Sequence, residues 1–285
     1  GSNVCVTDEG VFVAVGGKCL QIDPATGKLL REFQTPEDAG GKPGVWGYVA
    51  STDGTLLGTL ADTEHNVVRP DMTEHFTQSN LLFAFDTRTA QLKWRYKPKL
   101  SIRHNAICIG DGKVFLIDRE LAMSDLPDPK AARRTGKRAR PADAPPPTRA
   151  LLALNLDDGK IAWQSADEIF GTILIHSKEH DVLLMAYDDS HARLPSEKAK
   201  RMAAFRASKG TRIWDVPTKY GGDSSRAIVN DRTIYKFPGA WDLLTGKRLD
   251  YELKRQYGCG TLSGSRNLIL YRSGTLGYTD LTRNY

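Results

Sequence analysis

The stretch AFDTRTAQLKW, which runs from Ala84 to Trp94, carries a pattern that returns along the chain. Each copy has an apolar strand end, a polar residue that is mostly Asp or Asn, a Gly or small residue four positions later, and a second strand. In three copies the second strand ends on Trp. The further copies are ALNLDDGKIAW (Ala153–Trp163), AFRASKGTRIW (Ala204–Trp214), QIDPATGKLLR (Gln21–Arg31), AWDLLTGKRLD (Ala240–Asp250) and the shortened YTDLTRN from Tyr278. This is a repeat protein, and that recognition comes before any assignment of fold.

Each copy predicts a β-hairpin. The short side chain of Asp86 can bond the backbone two residues on and so begin a turn. Six residues stand where the turn needs a positive φ: Gly27, Gly159, Gly210, Gly246, Ala90 and Asn284. The returning strand places Trp94, Trp163 or Trp214 at a fixed position. A lone hairpin does not bury an indole, so the neighbouring copies must supply the surface.

Composition and strand pattern indicate an all-β protein. The chain has 285 residues, of which 40% are hydrophobic, so a large core can form. Short apolar runs stand between Gly, Asp and Asn clusters, and helical periodicity is scarce. The runs are Val11–Val15, Thr55–Leu60, Lys113–Ile117, Thr172–Ile175, Val182–Tyr187, Thr233–Phe237 and Leu268–Tyr271. The spacing between the copies at Arg206, Asp242 and Asp280 matches one four-stranded propeller blade, and the longer gaps elsewhere need inserted loops.

The two ends of the chain indicate a fragment. The first residues lack the charged and apolar regions of a signal peptide. The last copy stops at Tyr285, before its returning strand. We therefore expect a piece of a longer protein with other domains. No apolar run approaches the length that crosses a bilayer, so we expect no membrane span.

The net charge of +6 is concentrated in one segment. Six basic residues and no acid lie between positions 130 and 140: Lys130, Arg133, Arg134, Lys137, Arg138 and Arg140. With its flanking prolines, the stretch 118–149 predicts a basic, Pro-rich and disordered loop inserted into a blade. Such a run can bind nucleic acid or another polyanion. A solubilising loop explains it as well, and we favour that interpretation.

The four cysteines leave the redox compartment open. Cys5, Cys19, Cys108 and Cys259 form no C-x-x-C or C-x-x-C-H arrangement, so neither a zinc ribbon nor covalent haem is indicated. Cys5 and Cys19 flank the first hairpin and can pair across strands. Buried free thiols fit the alternating pattern equally well.

The phrase A-x-D-x-x-T-G-x-x-x-W resembles the tryptophan-docking repeat of PQQ-binding-like β-propellers, the quinoprotein alcohol dehydrogenase-like family. Ala90 replaces the expected Gly in one copy, and Arg206 replaces the Asp in another. The segments GAWDLLTGK, YGCGTLSGS and YRSGTLGYTDLTRN look like a planctomycete-type branch of that family. The resemblance implies that Trp94, Trp163 and Trp214 pack against the neighbouring blade, each burying about 200 Å².

The resemblance predicts an all-β fold, a β-propeller of four-stranded blades with tryptophan-docking repeats. We expect one domain over 1–285 and about six to eight blades in the parent, incomplete here at one or both ends. The family is usually exported, which implies a periplasmic or otherwise extracytoplasmic location. It contains alcohol and sugar dehydrogenases that use PQQ and calcium, and non-catalytic scaffolds such as an outer-membrane assembly lipoprotein.

The catalytic branch typically has adjacent cysteines, a Trp floor, a Glu–Asn–Asp calcium set and an Asp base. This sequence has no Cys-Cys pair and no recognisable calcium set. We therefore favour a scaffold that binds a ligand or a protein, and we assign no catalytic or metal-binding residue. A PQQ-dependent dehydrogenase is the alternative, and polyanion binding through the basic insertion is the second. No phosphate loop, G-x-S-x-G elbow or H-E-x-x-H helix supports a nucleotide-binding protein or a hydrolase.

Ligand-binding residues are predicted at the mouth of the central channel, just before the innermost strands. In a propeller such positions commonly receive ligands. The predicted residues are Trp46, Arg103, His104, Arg226 and Tyr257. The two arginines suit an anionic ligand, including the carboxylates of a quinone. Ordinary polar contacts at the start of a blade are the alternative interpretation.

Histidines gather in two other segments. His65 and His75 each follow a Thr-Glu pair, and together they are the chain's best metal candidate, although a polar loop also explains them. His176 and His180 bracket the turn of a hairpin, and Asp188, Asp189 and His191 follow it. We interpret the second group as surface turn residues.

Overall fold

The computed structural model describes residues 3–37, 44–62, 78–119, 149–187, 201–218, 226–253 and 262–283. Within these ranges all of the regular secondary structure consists of β-strands, which confirms the all-β prediction. The described residues contain no helix of the length and apolar character that would cross a membrane. The chain divides into two compact units, Gly1–Ile107 with Gly112–Gln164, and Cys108–Asp111 with Ser165–Tyr285.

The first unit contains three runs of four strands, and strands that follow each other within a run are hydrogen-bonded neighbours. The first run is β1 (Val4–Thr7), β2 (Gly10–Val15), β3 (Lys18–Ile22) and β4 (Leu29–Gln34). The second is β5 (Trp46–Thr52), β6 (Thr55–Ala61), β7 (Gln78–Asp86) and β8 (Leu92–Tyr96). The third is β9 (Ser101–Gly110), β10 (Lys113–Arg119), β11 (Arg149–Asn155) and β12 (Ile161–Ser165). Pairing of Gln78 with Arg103 and of Ser79 with Ile102 joins the second run to the third.

The second unit repeats the same plan. One sheet is β13 (Ile173–Ser177), β14 (Val182–Ala186), β15 (Arg201–Arg206) and β16 (Arg212–Pro217). The next is β17 (Ile228–Asn230), β18 (Thr233–Lys236), β19 (Gly239–Asp242) and β20 (Arg248–Glu252). The last sheet has three described strands, β21 (Ser263–Gly264), β22 (Leu268–Ser273) and β23 (Thr275–Asp280). Each apolar run noted in the sequence therefore lies in a strand to within one residue, as predicted.

The turn between the third and fourth strands of each sheet, called here the repeat turn, has one geometry. In the repeat turn at Asp86, the Asp86 N–H donates to Gln91 O and the Ala90 N–H donates to Asp86 O, both at 2.9 Å. The same two backbone bonds form in the turns that begin at Asp23, Asn155, Arg206 and Asp242. The fifth residue has a positive φ throughout: 68° at Gly27, 58° at Ala90, 69° at Gly159, 72° at Gly210 and 68° at Gly246. The prediction from the repeat is confirmed at these five turns.

Aspartate side chains hold the repeat turns as the sequence predicts. Asp86 Oδ1 accepts bonds from the backbone N–H groups of Arg88 and Thr89 and from the Thr89 hydroxyl, at 2.8–3.0 Å. Asp242 Oδ1 does the same with Leu244 and Thr245. The bond from the Thr89 N–H, followed by that from its hydroxyl, holds the pKa of Asp86 below its ordinary value of 3.8.

Two indoles pack on the repeat turn of the following sheet. Trp94 Nε1 donates to Leu156 O at 2.8 Å, and a Cβ on Gly159 would lie 2.6 Å from Trp94 Cδ2. Trp214 Nε1 donates to Leu243 O at 2.9 Å, and a Cβ on Gly246 would lie 2.7 Å from Trp214 Cδ2. Each indole therefore lies directly on a glycine whose missing side chain makes room for it. The Trp163 ring is half-buried, with its centroid 6.0 Å from that of Phe115.

Aromatic rings fill the core between the first two sheets. Phe33 on β4 lies 5.7 Å from Phe85 on β7, measured between ring centroids. Trp46 on β5 stands edge-to-face on Phe83 at 5.0 Å. The first sheet has Arg31 where other repeats have Trp, and Phe33 two residues later supplies a buried aromatic that reaches the next sheet. Large aromatic area of this kind dominates core energetics.

The boundaries of the predicted insertion need correction. Asp118 and Arg119 belong to β10 and Arg149 belongs to β11, so the insertion does not extend over the whole of 118–149. The Asp118 carboxylate accepts the backbone N–H groups of Lys99 at 2.6 Å and Leu100 at 2.9 Å, which fixes it in the sheet. The predicted disorder concerns residues 120–148, which lie outside the described residues.

The described cysteines are free thiols. Cys5 is half-buried and Cys19 is buried, so of the two interpretations the structure favours separate thiols. Burial, together with the neighbouring Cys5, raises the pKa of Cys19 to about 12. Burial likewise raises the pKa of Cys108 to about 11. Both thiols therefore stay protonated and poorly nucleophilic at neutral pH. Cys259 lies outside the described residues.

Candidate functional site

Three polar side chains meet inside the first unit. They are Thr59 on β6, Ser79 on β7 and His104 on β9, called here the buried polar cluster. Ser79 Oγ lies 2.6 Å from His104 Nε2 and donates to Thr59 Oγ1 at 2.8 Å. Thr59 Oγ1 lies 3.3 Å from His104 Nε2 and also accepts the Tyr48 N–H at 2.8 Å. The hydroxyls and the imidazole thus satisfy one another within the sheet.

The strand ladder brings these residues together. β6 pairs with β7, and the first residues of β7 turn to pair with β9, where Ser79 stands opposite Ile102. Gly47 on β5 closes the cluster from the other side, because a Cβ there would lie 2.6 Å from His104 Cε1 and 2.7 Å from Thr59 Oγ1. A glycine is therefore needed at position 47 for β5 to approach the ring.

Burial sets the charge of the imidazole. Only 3% of His104 is exposed, and Thr59 and Ser79 are fully buried. Desolvation lowers the pKa of His104 to about 3, so the ring is neutral at physiological pH. The short Ser79–His104 contact has the residue types of a nucleophile and its base. The hydroxyl is fully buried, which favours a structural role for this contact within the sheet.

A second set of polar groups lies at the neighbouring strand ends. Ser101 Oγ is 2.9 Å from Gln78 Oε1 and 3.0 Å from Arg119 O. Three arginine side chains are buried here: Arg103 at 3% exposure, Arg119 at 1% and Arg149 at 7%. Arg119 and Arg149 stand opposite each other in the ladder between β10 and β11. Buried guanidinium groups are stable only when they are well paired, and each of the three takes part in further interactions.

Trp46, Arg103 and His104 were predicted from the sequence as channel-mouth residues, and the structure places all three in the first unit. Trp46 is a core residue at 5% exposure, and its Nε1 donates to Tyr48 O at 2.8 Å. The prediction that Arg103 and His104 precede their strand is wrong, because β9 already begins at Ser101. Pairing with β7 gives the earlier residues ladder partners and draws them into the sheet.

The other two predicted residues are Arg226 and Tyr257. Arg226 is half-buried, precedes β17 as expected and belongs to the second unit. Tyr257 lies outside the described residues, as do His65, His75, Asp188, Asp189 and His191. The assignment of Trp46, Arg103, His104, Arg226 and Tyr257 to a ligand site stays a prediction.

Thr59 and Ser79 were not identified from the sequence. No local signal marks them, since Ser79 lies 20 residues from Thr59 and 25 from His104 along the chain. Only the pairing of β6, β7 and β9 places the three together. His176 was interpreted as a surface turn residue, and this is wrong: its side chain is 5% exposed and its Nε2 lies 3.5 Å from Asp111 Oδ2.

Comparison with known proteins gives similarity of structure alone. No protein-family model matches the chain, and no curated protein matches it in sequence. The crystal structure of BamB from Moraxella catarrhalis superposes with a TM-score of 0.57 at 15% identity, covering 98% of this chain and 72% of that chain.

Two dehydrogenase structures are also similar. A quinohemoprotein alcohol dehydrogenase from Pseudomonas putida HK5 gives a TM-score of 0.52 at 15% identity, covering 88% of this chain and 41% of that chain. A europium-containing methanol dehydrogenase gives 0.53 at 12% identity, covering 85% of this chain and 49% of that chain. At these identities the likeness concerns the fold. The chain has a β-propeller fold similar to those of BamB and the quinoprotein dehydrogenases.

Proposed function

We propose that this chain is a non-catalytic, extracytoplasmic binding module, a propeller scaffold for a ligand or a partner protein. The burial of the cluster formed by Thr59, Ser79 and His104 supports this most directly. The two hydroxyls and the imidazole are hydrogen-bonded to one another and buried from solvent. The repeat turns and docked indoles stabilise the fold, and fold alone does not specify a reaction.

The inference against catalysis rests on whether His104 can exchange a proton with a substrate. A general base must reach its substrate directly or through one water molecule. His104, at 3% exposure and with Nε2 in contact with two hydroxyls, reaches neither. Its pKa of about 3 also removes it from the range in which a base works near neutral pH. The buried polar cluster is therefore better explained as a specific hydrogen-bonded part of the core.

A quinoprotein dehydrogenase is the alternative, and its support is the similarity to the two dehydrogenase structures. The fit of PQQ to the predicted residues is poor. Trp46 packs on Phe83 and Phe85 at 5% exposure and presents no open face on which a quinone ring can stack. Arg103 is buried at 3% exposure. These two side chains do not form a quinone-binding surface in the arrangement described.

A titration with PQQ and calcium separates the two functions. The purified chain is mixed with PQQ and Ca²⁺, and absorbance, tryptophan fluorescence and thermal stability are recorded. Dye reduction is then measured with simple alcohols and sugars. We expect neither stoichiometric binding nor dye reduction. Stoichiometric binding together with alcohol-dependent dye reduction would establish the dehydrogenase and overturn the proposal.

The binding role has its own test. A photoreactive residue is placed at position 226, and in a control variant at position 160, where an exposed lysine stands in a repeat turn. Both variants are cross-linked in the organism of origin. We expect one defined adduct from position 226 and none from position 160. Equal labelling at the two positions contradicts a binding surface at Arg226.

Polyanion binding through the basic insertion is a second candidate. Six cations without an acid between positions 130 and 140 favour it. It requires affinity for nucleic acid that falls steeply with salt and disappears when residues 130–140 are deleted. Affinity that survives the deletion removes this candidate.

A further inference from the structure

Two hairpin turns of the second unit bring a histidine and two carboxylates together. Glu179 and His180 lie in the turn between β13 and β14, and Asp231 lies in the turn between β17 and β18. One ligand atom from each lies within 4.8 Å of the other two. The strands β13 and β17 begin neighbouring sheets and contact each other, so their turns meet although His180 and Asp231 are far apart in sequence.

The histidine ring is held in one orientation. Ser177 Oγ lies 3.1 Å from His180 Nδ1, and the His180 side chain is 15% exposed. With Nδ1 engaged, Nε2 is the nitrogen that faces Asp231. A hydrogen-bonded group that fixes the ring and tautomer is the usual support of a metal-binding histidine.

The spacing suits coordination better than a hydrogen bond. His180 Nε2 and Asp231 Oδ1 are 3.7 Å apart, which is longer than a hydrogen bond between these atoms. Two ligands that bind one tetrahedral metal ion at about 2.1 Å are about 3.4 Å apart. Glu179 is exposed, and its ligand atom lies within 4.8 Å of those of the other two residues.

The charges around the triad also favour a cation. The two carboxylates carry negative charge, two adjacent basic residues are paired with other carboxylates, and the guanidinium of Arg206 donates to the backbone His180 O at 3.5 Å. Lys178 Nζ lies 3.3 Å from Asp111 Oδ1, and Arg232 Nε lies 2.7 Å from Asp242 Oδ2. A divalent ion placed among the three ligands would therefore meet an attractive field.

We propose that Glu179, His180 and Asp231 form a binding site for a zinc-type divalent cation. The imidazole favours Zn²⁺ or a related transition-metal ion over Ca²⁺ and Mg²⁺, which select oxygen ligands. Three protein ligands leave the fourth tetrahedral position to water. Because the ligands come from two sheets, the bound ion links the β13–β14 turn to the β17–β18 turn and stabilises the second unit.

The test uses Zn²⁺ itself on the whole chain freed of metal by chelation. Binding is followed by isothermal titration calorimetry, and the melting temperature is measured with Zn²⁺, Ca²⁺ or no metal. The variants are Asp231→Asn and Glu179→Gln, which keep side-chain shape. The matched control is Asp53→Asn, since Asp53 has the same positive φ in another hairpin turn, 49° against 51° at Asp231.

We expect one Zn²⁺ bound per chain at this site, a rise in melting temperature with Zn²⁺, and little response to Ca²⁺. Asp231→Asn and Glu179→Gln should each weaken that binding at least tenfold, and Asp53→Asn should leave it unchanged. The proposal is overturned if Zn²⁺ does not bind. It is equally overturned if Asp231→Asn and Glu179→Gln bind Zn²⁺ as the unchanged chain does, because the ion then sits elsewhere.

Discussion

The repeat turns and the buried polar cluster are built in different ways. The repeat turn occurs five times with the same two backbone hydrogen bonds and the same positive φ. The buried polar cluster draws Thr59, Ser79 and His104 from three strands that are distant from one another in the sequence. Recurrence identifies the residues that stabilise the fold, and the exceptions identify what distinguishes this chain.

Within the repeat turns, one exception is informative. Gly159 and Gly246 lie under the indoles of Trp94 and Trp214. Ala90 occupies the same position at a φ of 58°, in the repeat that follows Arg31. The preceding repeat has Arg31 in place of Trp, so no indole has to fit against the residue at position 90. The glycine therefore serves two needs, the positive φ and the space for an indole, and only the first applies at position 90.

The largest effect should come from removing a docked indole. Trp94→Ala should lower the free energy of unfolding by about 3–5 kcal/mol, because it deletes a large buried ring and the partner of Leu156 O. Trp214→Ala should cost a similar amount in the second unit, since the contact is the same. Urea unfolding followed by circular dichroism measures both. A loss below about 1 kcal/mol in either variant would show that docking contributes little.

The next prediction separates two costs of replacing a turn glycine by alanine: the steric clash with an indole and the strain of a positive φ. Gly159→Ala and Gly27→Ala place an Ala at nearly the same positive φ, 69° and 68°. Nothing lies within 4 Å of a Cβ on Gly27, whereas a Cβ on Gly159 meets Trp94 at 2.6 Å. We expect a loss of about 1 kcal/mol for Gly27→Ala and about 2–3 kcal/mol for Gly159→Ala. Equal losses in the two variants would mean that the indole moves aside freely.

A smaller effect is expected in the buried polar cluster. Ser79→Ala removes the hydroxyl that joins His104 to Thr59, and the partners it leaves are buried. The free energy of unfolding should fall by about 1–2 kcal/mol. Ser263→Ala, at an exposed strand position, is the control and should change stability by less than about 0.5 kcal/mol. If both variants unfold at the same urea concentration, the cluster is not a stabilising network.

The smallest effect expected is the loss of stability at acid pH that comes from protonation of Asp86. The pKa of Asp86 is lower in the folded chain than its ordinary 3.8, so the carboxylate stabilises the fold above that pH and the contribution is lost as pH falls below it. Asp86→Asn keeps an oxygen that accepts the turn bonds but does not titrate. The stability difference between the two proteins should be constant from pH 7 to pH 5 and shrink towards pH 3, as measured by urea unfolding. A difference that grows on acidification would contradict the direction of the shift.

Local chemistry made the repeat turn predictable. Asp86 and Asp242 cap their turns as their side-chain length requires, and the glycines stand where φ is positive. The strands could be located for the same reason, since their apolar runs have clear ends. The start of β9 could not be placed, because Ile102 and Arg103 pair with Ser79 and Gln78 of β7, which are distant in sequence.

The candidate sites were less accessible to sequence reasoning. Trp46 was expected near a ligand and is packed on Phe83 and Phe85, since a large ring next to an aromatic core gains more by burial than by exposure. His180 was interpreted as a surface turn residue, and it lies in that turn with its side chain 15% exposed. Its approach to Asp231 of the next sheet has no signal in the neighbouring sequence.

By itself the sequence determined the all-β class, the hairpin repeat and the places of the turn glycines and tryptophans, because these depend on contacts within a few residues or on a period along the chain. The tertiary structure alone decided which polar groups are buried together and which carboxylate meets which histidine. Those contacts join strands that are tens of residues apart, and their energies depend on burial and distance, which no local pattern encodes.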